Sequence, residues 1–133
     1  MTTRANGTFK IESWDEQPYV EVDGGGKLTR ASVAQTFAGD IEGEGNVQWL
    51  MCYRPDDTAA FVGLQRIVGR IGERSGSVVL VQTAGTYDGR VAKGELSVVP
   101  GSGNGGLSGL RGSGAFTAPH GAEPSITLDY GFE

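Results

Sequence analysis

Residues 100–116 read PGSGNGGLSGLRGSGAF, with seven glycines in seventeen positions. The glycines at 101, 103 and 106 satisfy G-x-G-x-x-G, the spacing of a dinucleotide-binding loop. That chemistry needs a strand before the glycines and a long helix after them, whose N-terminus holds the pyrophosphate. The strand is readable over about 91–99, where Ala92, Leu96 and Val98 alternate with Lys93, Glu95 and Ser97. After the first glycines comes LSGLRGSGAF, with room for one helical turn before the next strand. There is no G-K-[ST], and no acid in a following strand of a β–α–β unit. The glycines are therefore read as structural. They let the chain turn and let backbones approach closely, so the segment is expected to link two strands, to hold several glycines at positive φ and to bind no nucleotide.

Working outward, the pattern is period two almost throughout. Phe9 and Ile11 alternate with Thr8, Lys10 and Glu12, and Ile126, Leu128, Tyr130 and Phe132 alternate with Ser125, Thr127, Asp129 and Gly131. Further strands are expected at 18–22, 28–37, 40–53, 59–71 and 77–87, with turn signals at 23–27, 54–58, 72–76 and 87–90. No twelve-residue window has a good helical period. Short connections favour antiparallel pairing. About eight long strands in a small domain point to an all-β, antiparallel closed β-barrel, because closure removes exposed edges. A two-sheet sandwich is the alternative. No internal repeat or boundary interrupts residues 1–133, so a single barrel domain is expected.

The totals agree with that size. A chain of 133 residues buries roughly 70% of its unfolded surface. Glycine supplies 23 residues against a usual ~7% of a chain, while apolar content stays at 38%, so the excess marks turns rather than disorder. A net charge of -5 argues against nucleic acid and against an anionic membrane surface as partners. Cys52 is the one cysteine, which excludes an internal disulfide. The first residues lack an apolar signal core and no run approaches ~18 apolar residues, so the expected location is the cytoplasm.

Several stretches carry a resemblance: SWDEQPY (13–19), TFAGDIEGEG (36–45), FVGLQR (61–66), GTYDG (85–89), the glycine segment, APHG (118–121) and LDYGFE (128–133). Through these, spanning nearly its full length, the chain resembles a bacterial family of unknown function with an allene oxide cyclase-like barrel. The resemblance implies a roughly eight-stranded barrel around a central cavity. Relatives on that barrel include a fatty-acid-derived oxide cyclase and enzymes that guide ring closure in secondary metabolism. No activity follows from the fold, because function belongs to sites. The chain departs from the family where Gln65 stands in place of an expected Glu, which removes a possible cavity carboxylate and puts acid–base chemistry carried over from relatives in doubt.

The residues themselves offer few groups for chemistry. Asp40, Glu42 and Glu44 share one strand face, with neighbours ~7 Å apart. If that face lines the barrel, Glu42 or Glu44 is partly desolvated and fit for acid–base work, with Glu44 the candidate catalytic acid near the mouth. Gln48, Leu50 and Cys52 continue the same face, and a bulge at Gly43 or Gly45 would switch it, so which face of 40–53 looks inward stays open. A solvated outer face is the plainer reading. The expected ligand pocket is Gln48, Trp49, Phe61, Gln65, Gln82 and Tyr130, with Tyr53, Tyr87, Phe116 and Phe132 adding apolar lining. His120 lies in a Pro- and Gly-flanked loop and is expected to be exposed. Cys52 reads as a small core residue rather than a nucleophile. One His and one Cys make a zinc site of the usual ligands untenable, and no cofactor is expected.

These features fit a small-molecule-binding barrel. It is either a cyclase, isomerase or lyase acting on an apolar metabolite, or a non-catalytic carrier of a hydrophobic ligand; a scaffold with a filled interior is a third reading. A perturbed carboxylate inside favours the enzyme, and a wholly apolar cavity favours the carrier. A homo-oligomer, dimer or trimer, is also expected. Strand 59–71 has Phe61, Ile67 and Ile71 on one face but Val62, Leu64 and Val68 on the other, so one apolar face must look outward. Arg66 and Arg70 would lie at the rim of that interface. The alternative cover is a terminal segment, residues 14–27, folded over the same surface.

Overall fold

The computed structural model describes residues 2–133, and nine strands account for most of them. They are β1 (Thr3–Val22), β2 (Gly26–Gly39), β3 (Ile41–Tyr53), β4 (Ala59–Ile71), β5 (Arg74–Tyr87), β6 (Val91–Val98), β7 (Asn104–Gly105), β8 (Leu110–Pro119) and β9 (Ser125–Phe132). The eight long strands close into one ring, β1–β2–β3–β4–β5–β6–β8–β9 and back to β1, with every pairing antiparallel. Closure through the β4–β5 and β1–β9 ladders excludes the sandwich. No helix occurs among the described residues.

Period-two alternation sorts the side chains. Along β3, Ile41, Val47, Trp49 and Met51 are buried, while Glu42, Glu44, Gln48, Leu50 and Cys52 are exposed. The ladder to β4 runs from Ile41 to Tyr53 without a register shift, so neither Gly43 nor Gly45 switches the faces. The acidic face is thus the outer one. Cys52, expected in the core, is exposed for the same reason.

β1 departs from expectation in a useful way. The segments 8–12 and 18–22 belong to one twenty-residue strand, not two. Register shifts between Ile11 and Ser13 and between Pro18 and Val20 let it run on. The extra residue at Glu12 brings Trp14 and Glu16 onto the same side as Phe9 and Ile11. Only residues 3–8 of β1 pair with β9, so the upper β1–β2 hairpin extends past that wall and flanks one end of the barrel.

The opposite end is sealed by the glycine segment, which is more than a turn. Asn104 and Gly105 pair with Ser77 and Gly76 of β5, and Ser102 Oγ both accepts from Val79 N and donates to Val79 O. This clasp places Leu107, fully buried, against the base. Gly101, Gly105 and Gly109 have φ of +85°, +66° and +79°, as the turns require. Gly103 serves a different need: a Cβ there would run into the Leu107 carbonyl.

Candidate binding site

The interior has two zones. Toward the base, Ile41, Ile67, Ile71, Val78, Leu80, Leu107, Leu110 and Leu128 fill the space. Toward the other end the residues are aromatic and do not fill it. A cavity of about 330 Å³ opens there, lined by Phe9, Ile11, Trp14, Trp49, Met51, Tyr53, Phe61, Tyr87, Ala92, Phe116 and Ala118. Its rings pack on one another. Trp14–Trp49 and Trp49–Phe61 centroids are each 5.5 Å apart, and Trp49–Phe116 and Phe61–Phe116 are 6.2 and 6.1 Å apart.

Between the zones lies a chain of buried amides. The Trp49 indole N–H donates to Gln82 Oε1, Gln82 Nε2 donates to Gln65 Oε1 at 3.0 Å, and Gln65 Nε2 donates to Gln35 Oε1 at 2.6 Å. All three glutamines are buried. Gln65 and Gln82 thus face inward, but their groups are engaged with each other and with Trp49, and neither lines the cavity. Gly45 accommodates this layer, since a Cβ there would meet the Phe37 ring and Gln35.

Beside the cavity, bonded to Trp14 of its wall, lies Glu16. Its carboxylate accepts from Trp14 Nε1 at 3.0 Å and from Thr29 Oγ1 at 2.6 Å. Partial burial pushes its pKa up, but hydrogen bonds from Thr29, Trp14 and Tyr53, with Lys27 nearby, outweigh that and hold it below the ordinary carboxylate range. Tyr53 is its counterpart. Burial, then the hydrogen bond to Glu16 and that carboxylate's charge, push the phenol up to about 12. Lys27 Nζ lies 5.1 Å over the Tyr53 ring.

Of the residues singled out from sequence, Trp49 and Phe61 meet in the cavity wall, with Tyr53, Tyr87 and Phe116 beside them. Four others, Glu44, Gln48, Tyr130 and Phe132, lie elsewhere. Glu44 is exposed on the outer face of β3, because β3 keeps its alternation, and is not at the mouth. Gln48 shares that outer face, and its side-chain oxygen accepts from Ser32 Oγ at 2.8 Å. Tyr130 is buried near the base, 6.0 Å from Phe132 and edge-on to it. His120 is exposed in the β8–β9 turn, as expected. The reading from sequence missed Trp14, Glu16, Thr29 and Gln35. The SWDEQPY stretch was visible as a motif, but only the bulge at Glu12 turns Trp14 and Glu16 toward the mouth. Among the described residues no group of three or more His, Cys, Asp or Glu is placed to hold a metal ion.

The profile of the DUF3224 family, described as a protein of unknown function, matches residues 5–130. A crystal structure of a protein with unknown function from the DUF3224 family of Shewanella oneidensis MR-1 is similar to this chain, with a TM-score of 0.81 and 28% sequence identity. The match covers 100% of this chain and 99% of that one. No curated protein matches.

Proposed function

Because this chain belongs to the DUF3224 family, whose function is unknown, we propose its role from the cavity: it binds one small, apolar or aromatic molecule inside the barrel. The observation that carries this reading is the unfilled upper barrel, where seven of eleven lining residues are aromatic. A scaffold would have closed that space, as the Leu and Ile side chains close the base. Binding without catalysis is preferred over a cyclase, isomerase or lyase. The buried glutamines are committed to the amide chain, and the Glu16 carboxylate beside Trp14 is already held by Trp14 and Thr29. A cytoplasmic setting belongs to the same proposal, since the exposed Cys52 thiol suits a reducing compartment. No helix among the described residues is long and apolar enough to cross a membrane.

Native mass spectrometry of freshly purified protein tests the binding reading. A co-purifying small molecule is expected with the wild type and is expected to be lost in Ala118→Trp, which fills the cavity. A ligand retained in Ala118→Trp would place the site elsewhere.

We also propose that a second copy covers the outer face of β3–β5. Leu50, Val62, Leu64 and Val68 are 44–55% exposed there, a row too apolar for one solvated wall. The alternative cover is spent, because residues 14–22 pair along β2 rather than across this face. Glu44 and Arg66, on the same face of neighbouring strands, give the row a rim of both signs, which a two-fold axis can pair with itself.

A further inference from the structure

We propose that the cavity selects an organic cation: a ligand with an apolar or aromatic body and an ammonium head that seats among the rings at the mouth, beside Glu16. This rests on the proposal that the cavity binds a small molecule, and it names the ligand class. Aromatic ring faces carry negative electrostatic potential, and an ammonium group surrounded by several of them is bound by cation–π attraction that strengthens as water is excluded. The cavity wall supplies Trp14, Trp49, Tyr53 and Tyr87. Beside Trp14 stands a fixed carboxylate, Glu16, held by Trp14 and Thr29 so that it cannot swing away. The protein already places a cation on one of these rings, Lys27 over Tyr53.

The wider charge distribution points the same way. The upper β1–β2 hairpin (residues 15–27) and the connections 54–58, 88–90 and 120–124 surround the mouth. They carry eight acids against three bases, while the rest of the chain carries eight of each, so the whole net charge of -5 is gathered at the cavity end. A cleft with low-dielectric walls under one sign of charge concentrates the opposite ion. An anion would have to pass this field and then face ring surfaces that repel it. A neutral ligand would gain nothing from the field.

Three benzyl ligands decide the matter: benzyltrimethylammonium, its neutral isostere neopentylbenzene, and the smaller anion phenylacetate. Both tryptophans of the chain, Trp14 and Trp49, line the cavity, so intrinsic fluorescence reads binding directly. The cation is expected to bind at least tenfold more tightly than the isostere, and phenylacetate more weakly than either. Glu16→Gln, which keeps the shape of the side chain, is expected to weaken the cation at least fivefold and leave the isostere unchanged. If Glu16→Gln fails to fold, a salt titration of the wild type replaces it: cation affinity should fall with added NaCl and isostere affinity should not. Equal or tighter binding of the isostere or the anion would overturn the choice of a cation and leave the cavity reading standing. No fluorescence response to any of the three would overturn both.

Discussion

Glycine does two different jobs in the 100–116 segment, and substitution separates them. Gly101 has φ +85° with open space where a Cβ would stand, so Gly101→Ala costs only the left-handed backbone penalty, about 1 kcal/mol. Gly103 has ordinary φ but no room, because a Cβ would meet the Leu107 carbonyl, so Gly103→Ala should cost about 2–3 kcal/mol as the clasp shifts. Urea unfolding of the two variants gives the order, and a cost for Gly101→Ala equal to or above that of Gly103→Ala would contradict it. Glu16 and Tyr53 make a second pair with opposite signs. Glu16 is depressed, so its contribution is fully present above its unfolded value, about pH 4.3, and is lost as pH falls through the lower folded value. Tyr53 is raised, so its contribution is present below about pH 10 and is lost as pH rises to about 12. An NMR titration of the Tyr53 ring carbon bearing the hydroxyl should show a midpoint near 12 that moves toward 10 in Glu16→Gln; an unmoved midpoint would mean the two are not coupled.

At the scale of elements, the layer of Gln35, Gln65 and Gln82 spans β2, β4 and β5 and divides packed base from open cavity. Gln65→Leu leaves two buried amides short of a partner and should cost about 2–4 kcal/mol, whereas Gln48→Leu on the outer wall should stay within about 0.5 kcal/mol. Denaturant midpoints compare them, and similar costs would show that the amide chain contributes no net stability. The strands themselves were legible, since alternation and turn residues are local signals, and so was the inward direction of Gln65, flanked by Phe61 and Ile67. Two features were not. The inner face of β3 was hidden because both faces are apolar near its end, Val47, Trp49 and Met51 against Leu50 and Cys52. The bulge at Glu12 was hidden because an inserted residue is defined only against its partner strand, and with it went Trp14 and Glu16. The candidate cavity was therefore half visible: its aromatic wall could be read, whereas Glu44 lies on the outer face of β3 and Glu16 beside Trp14 could not be foreseen.

For the molecule as a whole, two apolar surfaces stand out, one outside on β3 and β4 and one inside the upper barrel. The outer row on β4 should bring copies together, so sedimentation at micromolar concentration should show species larger than the 13.9 kDa chain, and Leu64→Glu should dissociate them without altering the cavity. A single monomeric species in the wild type would contradict the proposed oligomer. The inner surface is the central matter, because the proposed function depends on the upper barrel being a site rather than a defect of packing. The most direct measurement is an NMR titration with indole, following the methyl groups of Met51, Ala92 and Ala118 at the cavity, Leu107 and Ile71 at the base and Leu64 outside. Saturable shifts confined to Met51, Ala92 and Ala118 are expected. Shifts confined to the base or to Leu64, or none at any methyl, would contradict a binding site in the upper barrel.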